Sequence, residues 1–171
     1  MDSKKEHFHQ FLNDHIGIIK KLCRGYTNNS QDFEDYVQDV CYQLWKSLDN
    51  FRGESKSSTW VYRVTLNVCM YNLKKKKRVQ IIPTDRIEIN RKLDEQVDED
   101  QSNDNYQLLF EAIRQLQTID RAIIMLYLEK KEYKEISDVV GLQANNIGVR
   151  VNRIKKKLKD IIDERLRRTV G

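Results

Sequence analysis

The stretch DFEDYVQDVCYQLWKSLDNFRGESKSSTWVYRVTLNVCMYNLKKKKR, from Asp32 to Arg78, decides how this chain is read. Apolar residues recur in its first part at three- and four-residue steps, at Phe33, Val37, Val40, Cys41, Leu44, Trp45 and Leu48. That spacing predicts an amphipathic helix over about 31–50. Its acidic first turn suits the positive end of the helix dipole. Asp35, Gln38 and Asp39 fall outside the apolar stripe and share one face. Phe51–Lys56 is predicted to be a loop, with Ser57 or Ser58 able to cap a third helix. That helix is expected to reach about Lys76, with Trp60, Val61, Val64, Val68 and Tyr71 as its core. It closes on the basic run Lys74-Lys75-Lys76-Lys77-Arg78.

On the N-terminal side, Phe8, Phe11, Leu12, His15, Ile16, Ile19, Leu22 and Cys23 predict a first helix over about 6–24, ended by Gly25 and the turn Asn28-Asn29-Ser30. On the other side, residues 79–104 hold the only proline (Pro83), little apolar periodicity and an acidic cluster from Asp94 to Asp104. This reads as an acidic linker, with Val79–Ile82 placed to dock on a neighbour. A second block starts near Asn105. Leu109, Ile113 and Leu116 predict one helix, and Ile123, Ile124, Tyr127 and Leu128 a second. A short helix follows over Tyr133–Val140, then a turn at Gly141-Leu142. A last helix is predicted over about 144–167, its inner face Ile147, Val151, Ile154 and Leu158. The expectation is an all-α chain of two small helical domains, 1–78 and 105–171, joined by the linker 79–104.

The charge follows the same division. Lys and Arg outnumber Asp and Glu by 14 to 9 over 1–78, fall short by 3 to 8 over 79–104, and lead again by 14 to 9 over 105–171. Two basic blocks of net +5 flank a connector of net −5, a distribution that raises the local concentration of a polyanion around the blocks. Cys23, Cys41 and Cys69 are odd in number, widely spaced and placed on apolar stripes, so they read as structural thiols rather than a disulfide framework or a zinc site. The sequence has neither an apolar run near the ~18 residues of a membrane span nor a signal-peptide core after Met1. A reducing cytoplasmic location is the expectation. A glycine-rich phosphate loop, a nucleophile elbow and a metal-ligand set are all missing, which argues against an enzyme, a resident cofactor and a metal.

Three constellations carry the functional reading. The second block has the pattern of a helix-turn-helix with a basic second helix, which would enter a DNA major groove. With Ile147, Val151, Ile154 and Leu158 inward, the wheel turns Asn145, Val149, Asn152, Arg153 and Lys156 outward and leaves Arg150 at the margin. Arg153 suits guanine and Asn152 adenine. Lys155, Lys156, Lys157 and Lys159 suit phosphate. In the first block Phe51, Trp60, Tyr62 and Tyr71, with Arg63 and Asn67, are suited to stacking on or hydrogen-bonding unpaired bases. Core packing is the competing role for Trp60 and Tyr71. The acidic face at Asp35, Gln38 and Asp39 repels DNA and suits a basic protein partner. The alternative is a stand-alone helix-turn-helix regulator bound to an operator, which leaves the first block unexplained.

Taken in order, these motifs resemble the small two-domain sigma factors of bacterial RNA polymerase, the extracytoplasmic-function (ECF) group. Phe33-Glu34-Asp35-Tyr36-Val37-Gln38-Asp39-Val40 with Trp45 resembles the core-binding helix of region 2. Phe51-Arg52-Gly53, Ser58-Thr59-Trp60-Val61-Tyr62-Arg63 and Asn67 resemble its −10 segment. Tyr133-Lys134-Glu135-Ile136, Gly141-Leu142 and Ile147–Arg153 resemble the −35 reading unit of region 4. The resemblance implies that Asp35, Gln38 and Asp39 contact the coiled coil of the largest-subunit clamp. It implies that Phe51, Arg52, Ser57, Ser58, Thr59, Arg63, Asn67, Lys74 and Lys75 serve the −10 region, with the loop 53–58 capturing a flipped base. It gives Asn145, Asn146, Val149, Arg150, Asn152, Arg153, Lys156 and Lys157 to the −35 region, with the second domain seated on the flap of the second-largest subunit. The linker would thread near the polymerase active site, and an anti-sigma factor would be a further partner. The chain departs from the family pattern at several positions. Gln117 follows Leu116 where Pro is common. Gln143 stands at the recognition-helix cap, so Asn145 or Asn146 is expected to take over the start. Gly148 and Val149 replace a basic residue and a Ser. Gly148 costs the helix about 1 kcal/mol relative to Ala and leaves room for close approach to a DNA backbone.

Overall fold

The computed structural model describes residues 2–80 and 103–171. They fall into two compact helical units, whose division lies in the segment between them. Ile81 and Ile82 of the expected docking stretch and most of the expected linker lie outside the described residues. At the linker's edges, Val79 and Gln80 are the last residues of a helix and Asp104 is the first residue of another.

The first unit is a three-helix arrangement of α1 (Asp2–Arg24), α2 (Ser30–Ser47) and α3 (Ser57–Gln80). Asn29 starts α2, its side-chain oxygen accepting the Asp32 N–H at 2.8 Å while its amide donates to the Asp32 carboxylate. The helix predicted to reach Asn50 changes winding before its end. Leu48–Asn50 forms a 3₁₀ turn whose Leu48 carbonyl accepts from Phe51 N–H. Each of the three helices packs on the other two. The core is built from Ile19, Leu22 and Cys23 of α1, Tyr36, Val40 and Leu44 of α2, and Val61, Tyr62, Leu66 and Cys69 of α3.

Two expectations for α3 are corrected. Ser57 and Ser58 lie inside the helix, so neither caps it. Lys56 precedes the first turn and accepts the Trp60 N–H. The inner face is also turned by about one residue from the predicted one. Tyr62 is buried and Tyr71 is 66% exposed, the reverse of the reading from apolar spacing. Nine residues separate them, about half a turn at ~100° per residue, so burying one exposes the other. The thiols also meet in this core. Cys23 and Cys69 Sγ lie 3.7 Å apart, and the Cys69 thiol is pushed well up by its hydrogen bond with Cys23 and by burial.

The second unit consists of α4 (Asp104–Ile113), α5 (Thr118–Leu128), α6 (Tyr133–Val140) and α7 (Ala144–Val170). Ala122 through Leu126 are all buried, so α5 is surrounded on every side. Two end-residue readings are corrected here. Leu116 is buried in the turn after α4 rather than within the helix, and Leu128 is 43% exposed.

Both ends of α6 are closed by local chemistry. At its start Glu132 and Glu135 form a reciprocal capping box. At its end Gly141 takes φ +77°, a left-handed conformation that favours glycine, and its N–H donates to Ser137 O at 2.9 Å. The Ser137 hydroxyl donates to Leu142 O, which fixes the entry to α7. That helix begins at Ala144 with Gln143 in the cap position, and no side chain caps it there. Asn145 and Asn146 are already inside the helix, contrary to the expectation that one of them would start it. Gly148 also has a different reason from the one expected. A Cβ there would lie 3.1 Å from the Tyr133 ring, so the close approach is between α6 and α7.

Candidate nucleic-acid and partner interfaces

On α2, Asp35, Gln38 and Asp39 are all exposed and share one stripe. Tyr42, 64% exposed, extends that stripe by one turn. The sequence reading passed over it, although its spacing from Gln38 and Asp39 was a sufficient signal. Asp35 accepts from the Gln31 amide at 3.2 Å along its own helix. The Asp39 carboxylate instead reaches across to α3 and accepts from Asn72 at 2.8 Å. Asp32, one turn earlier, pairs with Lys76. The stripe is thus negative at Asp35, neutral and open at Gln38, and anchored to α3 at Asp39.

The exposed face of α3 has a different chemistry. Asn67, Tyr71, Lys74 and Arg78 project from one side with Arg63 at its edge, all within a sector of about 80°, and Lys75 flanks them. Arg63 is part-buried and already has an interaction partner. Tyr71 is the exposed aromatic in this basic stripe. Tyr62, named as a base-stacking candidate, is in the core.

The other aromatic candidates are held within the unit. Phe51 stacks on Trp60 with ring centroids 4.8 Å apart, and Trp60 meets Phe11 of α1 at 5.8 Å. Arg52 is exposed beside Gly53, whose φ of +70° turns the loop. Ser57, Ser58 and Thr59 are part-buried at the start of α3, and Ser57 Oγ lies 3.5 Å from His15 Nε2. The other His15 ring nitrogen bonds to the Phe11 carbonyl oxygen at 2.8 Å, so this histidine packs between α1 and α3. The geometry therefore gathers Arg63, Asn67, Lys74 and Lys75 on one helix face. Phe51 and the 57–59 segment lie at the N-terminal end of the same helix.

In the second unit Asn145, Asn146, Val149, Asn152, Arg153, Lys156 and Lys157 are exposed on α7, opposite Ile147, Val151, Ile154 and Leu158. Arg150 is placed differently. It turns back onto α5, where Nη1 donates to the buried Asp120 carboxylate at 2.8 Å. Lys155 also turns toward α5, its ammonium 5.2 Å from the centre of the Tyr127 ring. What remains outward is an amide, apolar and basic face that begins at the first turn of α7.

Among the described residues, three or more His, Cys, Asp or Glu side chains nowhere come together in a way that could hold a metal ion. Nor is any helix there long and apolar enough to cross a membrane.

Comparison with known proteins gives these faces a context. The Sigma-70 region 2 family matches residues 11–79, which include both faces of the first unit. The Sigma-70 region 4 family matches residues 106–158, which include α6 and the outward face of α7. RNA polymerase sigma factor SigV of Bacillus subtilis is 24% identical over 148 residues, 86% of each chain. The ECF RNA polymerase sigma-E factor of Escherichia coli K12 is 26% identical over 149 residues, 81% of this chain and 78% of that one. Among solved structures, the sigma factor RpoE in complex with the anti-sigma factor NepR from Bartonella quintana aligns with a TM-score of 0.69 at 19% identity. It covers 92% of this chain and 98% of that one. CnrH in complex with the cytosolic domain of CnrY gives 0.65 at 19% identity, covering 94% and 90%. A stand-alone operator-binding regulator leaves the match of the first unit to region 2 without a reason. The chain belongs to the ECF group of sigma-70 factors and serves promoter-specific initiation of transcription.

Proposed function

We propose that the α2 stripe of Asp35, Gln38, Asp39 and Tyr42 docks on the coiled coil of the largest-subunit clamp of core RNA polymerase, while α3 holds the opened −10 element. The outward face of α7 reads the −35 element, with the second unit seated on the flap of the second-largest subunit. The observation that carries this reading is the separation of charge on adjacent helices. An acidic and amide face on α2 lies next to a basic face with one exposed aromatic on α3. Duplex DNA avoids the first and is drawn to the second, so one small unit can hold a protein and a nucleic acid without competition between them.

Melting then follows from differential binding. Unstacking a base costs a few kcal/mol, and that cost is offset when the freed base gains protein contacts. The loop 53–56, the first turn of α3 and the face running from Arg63 to Arg78 supply such contacts, and Phe51 stacked on Trp60 keeps the loop's root in place. The chain itself performs no chemistry in this scheme; nucleotide addition belongs to the polymerase. The 23 residues between α3 and α4, 81–103, span at most roughly 76 Å at ~3.3 Å per residue. That exceeds the distance between promoter elements one to two DNA turns apart, at ~34 Å per turn. By likeness to the RpoE–NepR complex, an anti-sigma factor is a further partner. The cytoplasm is the compartment where polymerase and promoter are found.

The test is run-off transcription on the organism's own promoters with purified chain and core polymerase. The chain alone is expected to bind duplex weakly, and start-site selection is expected only when both proteins are present. Tight operator binding by the chain alone, with no start-site choice after core is added, would reject the reading. Within this assay Tyr71→Ala is expected to weaken holoenzyme binding to a single-stranded −10 oligonucleotide by roughly ten-fold, the lower part of the range for one lost base stack. Its affinity for core polymerase should not change. Equal oligonucleotide binding by variant and parent would remove Tyr71 from the DNA face.

A further inference from the structure

Val149 is the one apolar residue at the middle of an otherwise polar face. It lies about half a turn from Val151 and Ile147 of the core, and Asn145, Asn152, Arg153 and Lys156 fall within about 60° of it on either side. It is 69% exposed, far more than any apolar residue on the inner face of α7. A β-branched residue is a poorer helix former than alanine and is compensated by packing, which this side chain does not gain within its own unit. The major groove offers a partner for such a group. Base edges there present hydrogen-bond donors and acceptors, and a single apolar feature, the C5-methyl of thymine.

We infer that Val149 reads the C5-methyl of a thymine in the −35 element. The inference deepens the assignment of α7 as the −35 helix and rests on it. The neighbouring side chains fix the setting. Val149 is in the second turn of α7, in the N-terminal part of the helix that meets base edges in a helix-turn-helix. Arg153, one turn further on, carries the bidentate donors that suit guanine, and Asn145 and Asn152 carry the donor–acceptor pair that suits adenine. Lys156 and Lys157 supply cations for flanking phosphates. Arg150 does not compete for the groove, because its guanidinium is committed to Asp120 on α5. A polar side chain in place of Val149 would have to find a hydrogen-bond partner or lose its water without one. The isopropyl group gains instead by shedding water against another apolar group. A thymine at that position is therefore favoured over cytosine, which has no methyl and presents an amino donor to an isopropyl group that cannot accept it.

The experiment uses holoenzyme reconstituted from the full chain and core polymerase. A promoter pool randomised across the −35 region first yields the preferred element. Each thymine of that element, on either strand, is then replaced singly by deoxyuridine, which removes the methyl and keeps the base-pairing edge. At one thymine the replacement is expected to weaken promoter binding about four-fold, the value of one buried methyl-sized group. With Val149→Ala, thymine and deoxyuridine at that position should bind alike. Alanine at an exposed helical site leaves folding intact, which circular dichroism checks. Two results overturn the inference: no thymine sensitive to loss of its methyl, or the same sensitivity in Val149→Ala. A pool that yields no −35 preference at all overturns the assignment of α7 itself, and this inference falls with it. Selection without methyl sensitivity removes only the inference.

Discussion

Replacing Asp35 and Gln38 together with alanine is expected to weaken binding of the chain to core RNA polymerase by at least thirty-fold and to leave the fold unchanged. Both side chains are exposed, one turn apart on α2, so the core of the first unit does not depend on them. Two hot-spot truncations of about 1 kcal/mol each amount to that loss. Asp39 is deliberately kept. Its carboxylate holds Asn72 of α3, and removing it would mix a loss of docking with a shift of α3. The change also removes a charge from a face proposed to meet a basic partner. Raising the salt concentration should therefore weaken the parent more steeply than the variant. A binding titration against core polymerase at two ionic strengths measures both effects, and tryptophan fluorescence during denaturation checks that the unit is intact. Unchanged affinity would exclude this face from the polymerase contact.

Helix order and the positions of the turns could be read from the chain because they are local, whereas the caps of α3 and α7 could not. The Gly141-Leu142 turn announces itself by composition, and the short helix before it has the bounds that spacing predicts, Tyr133–Val140. Asp35, Gln38 and Asp39 fall on an exposed stripe because the apolar period of α2 leaves them no other side. The rotation of α3 was not legible. Valines at 64 and 68 and an aromatic at 71 favour one inner face by apolarity. The helix instead buries Thr65 and Cys69 with Tyr62, because α1 and α2 both pack against it and the accommodated face is set by their side chains. That one-residue turn is the reason Tyr71 moves from expected core to the basic surface. Long-range pairs were equally hidden. Cys23 and Cys69 are 46 residues apart, and Asp120 and Arg150 are 30 apart. Helical periodicity shows that such residues point inward or lie at a margin and does not say what they meet. Gly148 illustrates the same limit. The sequence marks a missing side chain, and the fold supplies the reason, the Tyr133 ring lying across it.

The Asp120–Arg150 pair carries the largest expected effect on stability. Asp120 Oδ1 accepts from Arg150 Nη1 at 2.8 Å, with side-chain exposures of 11% and 30% respectively. Asp120→Ala leaves a guanidinium partly enclosed with its carboxylate gone. Breaking a buried pair in this way costs 3–5 kcal/mol. The partial exposure of Arg150 lets water take up some of the loss, so about 2 kcal/mol is expected here. For a unit of this size that lowers the melting temperature by on the order of 10 °C. The chain offers a clean separation of signals. Both tryptophans, Trp45 and Trp60, lie in the first unit, whereas helical circular dichroism reports on both. The ellipticity transition should therefore move down or split, while the tryptophan transition stays in place. Replacing Arg150 with methionine in the same chain removes the stranded charge and should recover part of the loss, since the two changes act on one contact and are not additive. If Asp120→Ala melts as the parent does, the pair contributes nothing, and Arg150 is then held at the margin of α7 by packing alone. Function should follow stability through one route. With Arg150 released from α5, a second guanidinium stands beside Arg153 on the helix proposed to meet DNA. Selection at the −35 element should then broaden even below the melting temperature, which the randomised promoter pool would register as added tolerance at the position next to the one proposed for Arg153.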